Sequence, residues 1–409
     1  MLVAEIFFRA YPFLLLGISY YVFWWFKRWV VVWDLSEGRL KKILLIYKIL
    51  MVLFITPWLP VTVLGPGTHI IPPEWFKISL FYPAFVWHLV HLPLFIILSI
   101  YGFVNLVLYP VIRVYKRSRP AEKPDVEKRY WLKKSLIALP ATLFTINTVG
   151  LISGEYDHVV TYQPIKISNW PENLKGFKIT QISDIHFGPF MDDEKLAMFV
   201  KEVNNLKSDM ILVTGDIINS SKDLIPRLTR EMARLKAPHG VYACMGNHEH
   251  FSGPEILIKS FSEAGMPVLI NEARLMNIRE SEFYLMGVDY PSKSPFHEAR
   301  DNAIKKQLDI TLKNTDAEKA KILMAHHPDS FFEASNMNVD LTLSGHTHGG
   351  HFVFGEYNGK IISFSQIGYR YLKGYYERGG SQLYVNSGLG HWLPIRFNCP
   401  PEITQFILE

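Results

Sequence analysis

Residues 341–350 read LTLSGHTHGG, a short apolar run that leads into two histidines, His346 and His348. The apolar half is typical of a buried strand, and the glycines around the histidines predict that the strand ends there. In α/β proteins, ligands gather beyond the carboxyl ends of the strands. One such motif is weak support for a functional site, but this chain carries several.

Four more polar motifs follow apolar, strand-like runs. The predicted strands are 178–183, 210–214, 241–245, 283–288, 321–325 and 341–344. The polar motifs are Asp184-Ile185-His186, Gly215-Asp216, Gly246-Asn247-His248-Glu249 and His326-His327-Pro328-Asp329. Helical periodicity at 193–207 and 224–235 lies between strands, so we expect an α/β layer architecture. A lone histidine is more often a satisfied core residue than a ligand, but five motifs at successive strand ends indicate one shared site.

The types of ligand in these motifs indicate the chemistry. Carboxylate oxygen and imidazole nitrogen, with no thiolate, suit divalent ions such as Mn, Fe or Zn. The chain has only two cysteines, which excludes a cysteine-rich metal site. There are enough donors for two ions, and two ions roughly 3.5–4 Å apart can polarise a bridging water to hydroxide and clamp phosphoryl oxygens. The sequence therefore predicts hydrolysis of a phosphate ester.

The five motifs in this order resemble the calcineurin-like metallophosphoesterase superfamily. The resemblance runs from about Lys178 to the C-terminus. Together with the terminal stretch 394–402, the motifs are similar to a membrane-associated bacterial branch that includes UDP-2,3-diacylglucosamine pyrophosphatases. The fold that this resemblance implies is α/β, a four-layer αββα sandwich of two mixed sheets flanked by helices.

The resemblance also implies a role for each site residue. The residues implied for the first metal are Asp184, His186, Asp216 and His348. Those implied for the second are Asp216, Asn247, His326 and His346, with Asp216 bridging. His248 is the implied general acid near the leaving oxygen. His327 stays an alternative to His326, whereas Glu249, His250 and His351 are expected near the site but not as ligands.

One position departs from the superfamily pattern. Relatives usually carry an aspartate that orients the catalytic histidine, three residues after the Gly-Asp aspartate, and here that position is Asn219. An amide can hydrogen-bond an imidazole but cannot stabilise imidazolium by charge, so modest activity is expected. The arginine that follows Gly-Asp in protein Ser/Thr phosphatases is absent as well, which argues against phosphoprotein substrates.

The N-terminal third has a different composition. Four long apolar runs, 6–33, 43–64, 78–112 and 135–152, are near or above the roughly 20 residues that span a bilayer. We therefore predict a domain of about four transmembrane helices at 1–154 and a catalytic domain at 155–409. The first part carries a net charge of +10 and the second −5. An acidic catalytic part disfavours a nucleic-acid partner.

Lysine and arginine asymmetry predicts the orientation in the membrane. The segments 27–42 and 113–134 are rich in basic residues, and the segment 65–77 is not. Four spans then place both basic loops in the cytoplasm and the catalytic domain outside it, in a bacterial cell membrane. The orientation reverses if the third run is a re-entrant pair or the first run only lies on the surface. His88 and His91, three residues apart in the third run, leave open a metal or proton site inside the membrane.

Three functions are compatible with these patterns. The leading hypothesis is a membrane-anchored phosphoesterase that acts on a lipid or lipid-linked phosphate, because a metal site beside a bilayer meets amphiphilic substrates in place. A transporter with a regulatory phosphoesterase domain is the second, motivated by the number of apolar runs. A weakly active phosphate sensor is the third, motivated by Asn219. The sequence does not indicate an oligomeric state.

Overall fold

The computed structural model describes residues 2–30, 33, 35–60, 72–117, 126–219, 221–291, 297–357, 360–391 and 393–409. The chain divides into a helical unit that ends at Val149 and a globular unit that runs from Gly150 to Glu409. The predicted boundary at 154/155 lies five residues further along, within the helix that leads into the globular unit.

The described part of the helical unit contains four long helices, and each overlaps one of the four apolar runs. They are α1 (Leu2–Val30), α2 (Glu37–Leu53), α3 (Tyr82–Arg117) and α4 (Val126–Tyr156), the last of which continues into the globular unit. Pro93 and Pro110 lie inside α3 without ending it. The third apolar run is therefore one continuous helix in the structure, not a re-entrant pair.

The helix α3 and its N-terminal extension carry the membrane signal. Among the described residues, the stretch Glu74–Pro110 is the one that is long and apolar enough to cross a membrane. Phe103, Leu106 and Val107 on this helix are exposed. A helix that is apolar on its exposed side needs lipid or protein around it rather than water. The part of the four-span prediction that concerns residues 61–71 lies outside the described residues.

His88 and His91 do not converge on a shared site. His91 Nε2 lies 2.5 Å from the Tyr47 hydroxyl, and its Nδ1 lies 2.6 Å from the Trp87 carbonyl. His88 Nε2 lies 3.1 Å from the carbonyl of Phe54. The two rings are thus held by separate partners in the helical unit, and the described residues hold no carboxylate or cysteine grouped with them as a metal site.

The globular unit is built on two mixed sheets, as expected. The first has the order β1-β13-β2-β3-β4 and the second β11-β12-β8-β7-β6-β5. The strands of the first sheet are β1 (Val159–Ile165), β2 (Phe177–Ile182), β3 (Met210–Thr214), β4 (Val241–Cys244) and β13 (Glu402–Leu408). Those of the second are β5 (Glu272–Ile278), β6 (Ser281–Gly287), β7 (Lys321–Met324), β8 (Leu341–Ser344), β11 (Gly374–Arg378) and β12 (Ser381–Val385). A separate short hairpin consists of β9 (Glu356–Tyr357) and β10 (Lys360–Ile361).

Alternating side chains place the two sheets face to face. Ile179 and Leu212 of the first sheet and Leu285 and Leu343 of the second share one buried apolar cluster. The residues between them along each strand point away from that cluster, because successive side chains of a strand point to opposite faces of the sheet. The helices that flank the sheets are α5 (Asp193–Asn205), α6 (Ile225–Met232), α8 (Pro254–Glu263), α9 (His297–Leu312) and α10 (Ser330–Asn336). The single turn α7 (Glu249–Ser252) begins directly after His248.

Two further clusters attach these helices to the sheets. On the first sheet, Val213 packs in one cluster with Phe199 of α5 and Leu228 of α6. On the second sheet, Leu323 packs with Leu308 of α9. The succession of helices, sheet, sheet and helices is the layer order that the motifs imply. The strands β2, β3 and β4 are mutually parallel, as are β6, β7 and β8, so their carboxyl ends meet at common edges.

Candidate metal centre

All the predicted site residues follow strands at these edges. Asp184 and His186 come after β2, Asp216 after β3, Asn247 and His248 after β4, His326 after β7, and His346 and His348 after β8. Five of them have φ between 48° and 72°: Asp184, His186, Asp216, His346 and His348. A positive φ is uncommon for residues other than glycine and costs of order 1–3 kcal/mol, so it persists where the surroundings enforce it, typically at functional sites.

Two glycines let the strand ends approach each other. A Cβ on Gly246 would clash with the Asp216 carboxylate, and a Cβ on Gly345 would clash with Ser183 and the Asp184 carboxylate. A residue with any side chain would therefore push the neighbouring loop outward. The glycines of the Gly-Asn and Gly-His motifs are thus required because the backbones pack closely at these positions.

Asp216 lies at the centre of the cluster. Its Oδ2 is 3.2 Å from His326 Nε2, 3.6 Å from His186 Nε2 and 4.0 Å from His248 Nε2. His346 Nδ1 lies 3.3 Å from His326 Nε2, so these two rings face the same point beside Asp216. A carboxylate oxygen shared by imidazoles on two sides is the arrangement that a bridging ligand needs.

A second grouping lies around Asp184. The Nε2 atom of His348 is 3.5 Å from Asp184 Oδ1 and 3.0 Å from His186 Nε2. Among the described residues, three sets have ligand atoms that all lie within 4.8 Å of one another. These sets are Asp184–His186–His348, Asp216–His326–His346 and His186–Asp216–His248. They bring together six of the seven predicted ligands, and the seventh, Asn247, offers an amide oxygen.

The donor atoms present fit a pair of divalent ions. His326 Nδ1–H donates to the Thr214 carbonyl at 2.7 Å, which leaves the Nε2 lone pair directed at the cluster. The side-chain oxygen of Asn247 is buried and has no hydrogen-bond partner among the residues that the structure describes. A buried amide oxygen without a donor is costly, and a cation beside it removes that cost. His326 Nε2 and the Asn247 side-chain oxygen thus have the donor chemistry that a divalent cation needs.

The electrostatics of the cluster point the same way. Burial raises the pKa of Asp184 to about 6, with His326 opposing and Asp216 adding to the rise. Burial by itself lowers the pKa of His326, but Asp216 and Asp184 outweigh it and raise that pKa to about 10. Burial lowers the pKa of His346 to about 3, and His326 contributes to that fall. The two buried carboxylates thus stabilise positive charge on the His326 side of the cluster.

His248 is oriented by a main-chain group. Its Nδ1–H donates to the backbone carbonyl of Asn219 in a short hydrogen bond, and its side chain is partly exposed. The sequence led us to expect the Asn219 side-chain amide as the partner, and that expectation is wrong. The carbonyl fixes the tautomer and leaves Nε2 directed at the Asp216 side of the cluster. The aspartate that relatives carry at this position is therefore not needed to orient the ring.

Glu249 holds the loops that carry two of the candidate ligands. Its fully buried carboxylate accepts four backbone N–H groups. Oε2 accepts from Asp216 at 2.9 Å and from Gly246 at 2.7 Å. Oε1 accepts from Ile217 at 2.7 Å and from Ile218 at 3.2 Å. This acid, expected near the site, therefore fixes the backbone of the Gly-Asp and Gly-Asn-His motifs to each other.

Arg396 lies in the terminal stretch 394–402, and its side chain connects two parts of the site. Its guanidinium is fully buried, with Nη1 donating to the carbonyls of His348 and Ser387 and Nη2 to that of Gly390. The Nη2 atom also lies 2.8 Å from His348 Nδ1. Arg396 thus joins the 387–390 loop to His348. A basic residue 48 positions away from its partner leaves no spacing signal in the sequence.

The sequence did not indicate that one basic and two aromatic side chains lie near His346 and His327. Tyr290 and Tyr369 each have a ring centroid 5.6 Å from that of His346. The Arg300 side chain is nearby, with Nη1 2.7 Å from Asp329 Oδ2 and 3.0 Å from His327 Nε2. His327 therefore faces Arg300, and the structure places His326, not His327, against Asp216.

The remaining two nearby histidines have partners outside the cluster. His250 Nε2 lies 2.8 Å from Asp289 Oδ1, and His351 Nδ1 lies 2.9 Å from the Ile395 carbonyl. Neither belongs to the three sets of convergent ligand atoms among the described residues.

Comparisons with known proteins agree with this site. Residues 177–350 match the family model described as calcineurin-like phosphoesterase. A metallophosphoesterase of Helicobacter pylori is 30% identical over 82% of this chain and 88% of its own. The metallophosphoesterase YkuE of Bacillus subtilis is 34% identical over 69% of this chain and 98% of its own. A bovine protein named transmembrane protein with metallophosphoesterase domain is 25% identical over 72% of this chain and 66% of its own.

The globular unit is thus a metal-dependent phosphohydrolase. The chain belongs to the calcineurin-like metallophosphoesterase family. Transmembrane relatives and the apolar helix Glu74–Pro110 point to association with a membrane.

Proposed function

We propose that this chain is a membrane-anchored, two-metal phosphoesterase that hydrolyses a phosphate ester or pyrophosphate of a lipid or lipid-linked intermediate. The observation that carries the hydrolytic part is the convergence of Asp184, Asp216 and four imidazoles. Asn247 follows β4 at the same edge, and its side-chain oxygen is buried without a hydrogen-bond partner among the described residues. Two ions, as Mn, Fe or Zn, would supply Lewis-acid polarisation of a phosphoryl oxygen and a nucleophile from water at neutral pH. Asp184, His186 and His348 would hold one ion, and Asn247, His326 and His346 the other, with Asp216 shared.

The residues around the ions supply orientation and proton transfer. His248 would donate a proton from Nε2 to the leaving oxygen, because its Nδ1–H is already committed to the Asn219 carbonyl. Glu249 keeps the Asp216 and Asn247 loops in register through its four N–H contacts. Because such positioning lowers the barrier only when distances are held closely, these contacts support catalysis without touching substrate.

The lipid part of the proposal rests on the helical unit. A helix able to cross a bilayer tethers the globular unit near the membrane, which raises the local concentration of membrane-embedded substrates over soluble ones. The resemblance to UDP-2,3-diacylglucosamine pyrophosphatases favours such a substrate. We further propose four spans, with both basic loops in the cytoplasm of a bacterial cell and the globular unit outside it.

The test of substrate class is a paired assay on the full chain. Metal-dependent release of product is measured for a phospholipid-like phosphate in mixed micelles and for a soluble phosphodiester. The proposal predicts a higher kcat/KM for the lipid. Turnover of the soluble diester alone would remove the lipid claim and leave the phosphoesterase intact. Protease access to Glu409 in sealed cells tests the orientation, and protection of that terminus inside the cytoplasm would overturn it.

The other functions gain less from the structure. His88 and His91 are held by separate partners, so the described residues show no intramembrane site that would favour a transporter. His248 Nδ1–H donates to the Asn219 carbonyl, so the orientation of that ring gives no support to a weakly active sensor.

A further inference from the structure

The segment that follows the Gly-His-Thr-His motif exposes an unusual number of apolar side chains. Among the described residues, fifteen large apolar side chains of the globular unit are exposed, and five of them lie within residues 354–367. These five are Phe354, Tyr357, Ile362, Phe364 and Ile367, here called the apolar loop patch. Phe364 is 73% exposed and Ile367 92%. Single exposed apolar residues are ordinary, but a contiguous set marks an interaction surface.

The backbone beneath this patch is well anchored. Phe354 N–H donates to Ile362 O at 2.8 Å and Ile362 N–H to Gly355 O at 2.9 Å, beside the β9–β10 hairpin. The hydroxyls of Ser363 and Ser365 both donate to the Gly350 carbonyl at 3.1 Å. The exposed side chains are thus displayed by a structured loop. That loop is attached two residues after the candidate ligand His348.

The charge of the segment differs from that of the unit around it. Residues 352–373 carry a net charge of +2, from the basic residues Lys360, Arg370 and Lys373 and the single acid Glu356. The globular unit as a whole carries −5. Aromatic, aliphatic and basic side chains together suit the headgroup region of an anionic bilayer. The same chain carries a helix that is long and apolar enough to cross a membrane.

We infer that the apolar loop patch docks into the interfacial region of an anionic lipid bilayer. Phe364 and Ile367 enter the boundary between headgroups and acyl chains, and Lys360 contacts the headgroups. Because the loop is tied to Gly350, docking brings the candidate metal centre to the level of the lipid phosphates. The docking does not require hydrolysis. It deepens the proposed function by specifying how a lipid phosphate reaches the site.

The experiment uses a fluorescent probe on the full chain in nanodiscs. Both native cysteines, Cys244 and Cys399, are buried, so a single introduced thiol can be labelled selectively. Ile367→Cys carries the environment-sensitive probe, and Ile310→Cys, exposed on α9, is the matched control. The nanodiscs contain anionic lipid brominated on shallow acyl carbons. Phe364→Cys serves as a second reporter if the first variant does not fold.

The expected result is a blue shift at Ile367→Cys and bromine quenching about threefold stronger than at Ile310→Cys, since interfacial side chains reach about 5–10 Å into the headgroup boundary. Absence of quenching at both Ile367→Cys and Phe364→Cys would overturn the inference. Equal quenching at the control would overturn it too, because contact would not be specific to the patch. A shift that depends on protein density without quenching would assign the patch to a second copy of the chain. Since fluorescence is read without turnover, failure here is distinct from failure of the proposed hydrolysis.

Discussion

Replacing Glu249 by glutamine tests how the site is held together. Each carboxylate oxygen of Glu249 accepts two backbone N–H groups. In either orientation, the glutamine amide would place an NH2 group against two of these donors. Two buried N–H groups would then lose their acceptor, at about 1–3 kcal/mol each. A loss of about 4 kcal/mol corresponds to a fall in Tm of about 8–16 °C for a unit of this size.

The same substitution is expected to release metal. The four N–H groups belong to the loops that carry Asp216 and Asn247, so their loss should loosen candidate ligands on both sides of the centre. The assay combines thermal unfolding with metal content by mass spectrometry on the reloaded protein. Glu255→Gln, an exposed acid on α8, is the control and should change neither quantity. If Glu249→Gln keeps both its Tm and its metal content, the four contacts do not support the centre and the reasoning is refuted.

Four further outcomes are expected from other contacts in the globular unit. Arg396→Met leaves the buried carbonyls of His348, Ser387 and Gly390 without their donor, at about 1–3 kcal/mol each. Thermal melts should show a lower Tm and the variant should lose bound metal; an unchanged Tm would contradict this. His248→Asn should lower kcat by about 10²–10⁴-fold with metal content unchanged. Asn219→Asp should stay within about threefold of the native kcat, because the carbonyl orients His248; a much larger gain would show that the carboxylate matters. Burial raises the pKa of Glu155, but hydrogen bonds and charges from its histidine and lysine partners outweigh this and hold the pKa at about 2. Because the pKa of Glu155 is depressed in the folded state, its contribution to the free energy of unfolding is present above pH 4.5 and is lost as pH falls towards 2. Glu155→Gln should therefore make Tm less dependent on pH in that window. An unchanged slope of Tm against pH would contradict the role given to the contacts of Glu155 with its histidine and lysine partners.

The strands that carry the site could be predicted closely from the sequence. The runs 210–214 and 341–344 match β3 and β8 to the residue, and the other predicted strands differ by one or two residues at their ends. These strands are continuous apolar runs because both of their faces are buried, and such runs stand out. The polar motifs directly after them mark the common edge where parallel strands end.

Two of the strands at the sheet edges, β1 and β11, were not predicted, whereas the edge strand β4 was. β1 and β11 alternate exposed and half-buried residues, so no continuous apolar run marks them. β13, at the C-terminus, lies between β1 and β2 in the first sheet. Its parallel pairing with β1 joins residues more than 240 positions apart, and a local pattern cannot specify that pairing.

The residues that support the site were the least predictable part. Arg300 and Arg396 act through tertiary contacts with His327 and His348, and neither lies in a motif that names its partner. For Asn219, the sequence suggested a side-chain contact that the structure does not contain. Its side chain suggested the contact to His248, and the backbone supplies it. Residue identity predicts side-chain chemistry well, but it says little about which main-chain group a fold presents.

Metal content per chain tests the central claim most directly. The full chain is stripped with chelator, reloaded with Mn, Fe or Zn, and measured by mass spectrometry beside Asp216→Ala, His346→Ala and the control His250→Ala. We predict about two ions for the native chain and for His250→Ala, and one or fewer for the other two variants. Two ions retained by Asp216→Ala would contradict the shared carboxylate on which this account of the site depends.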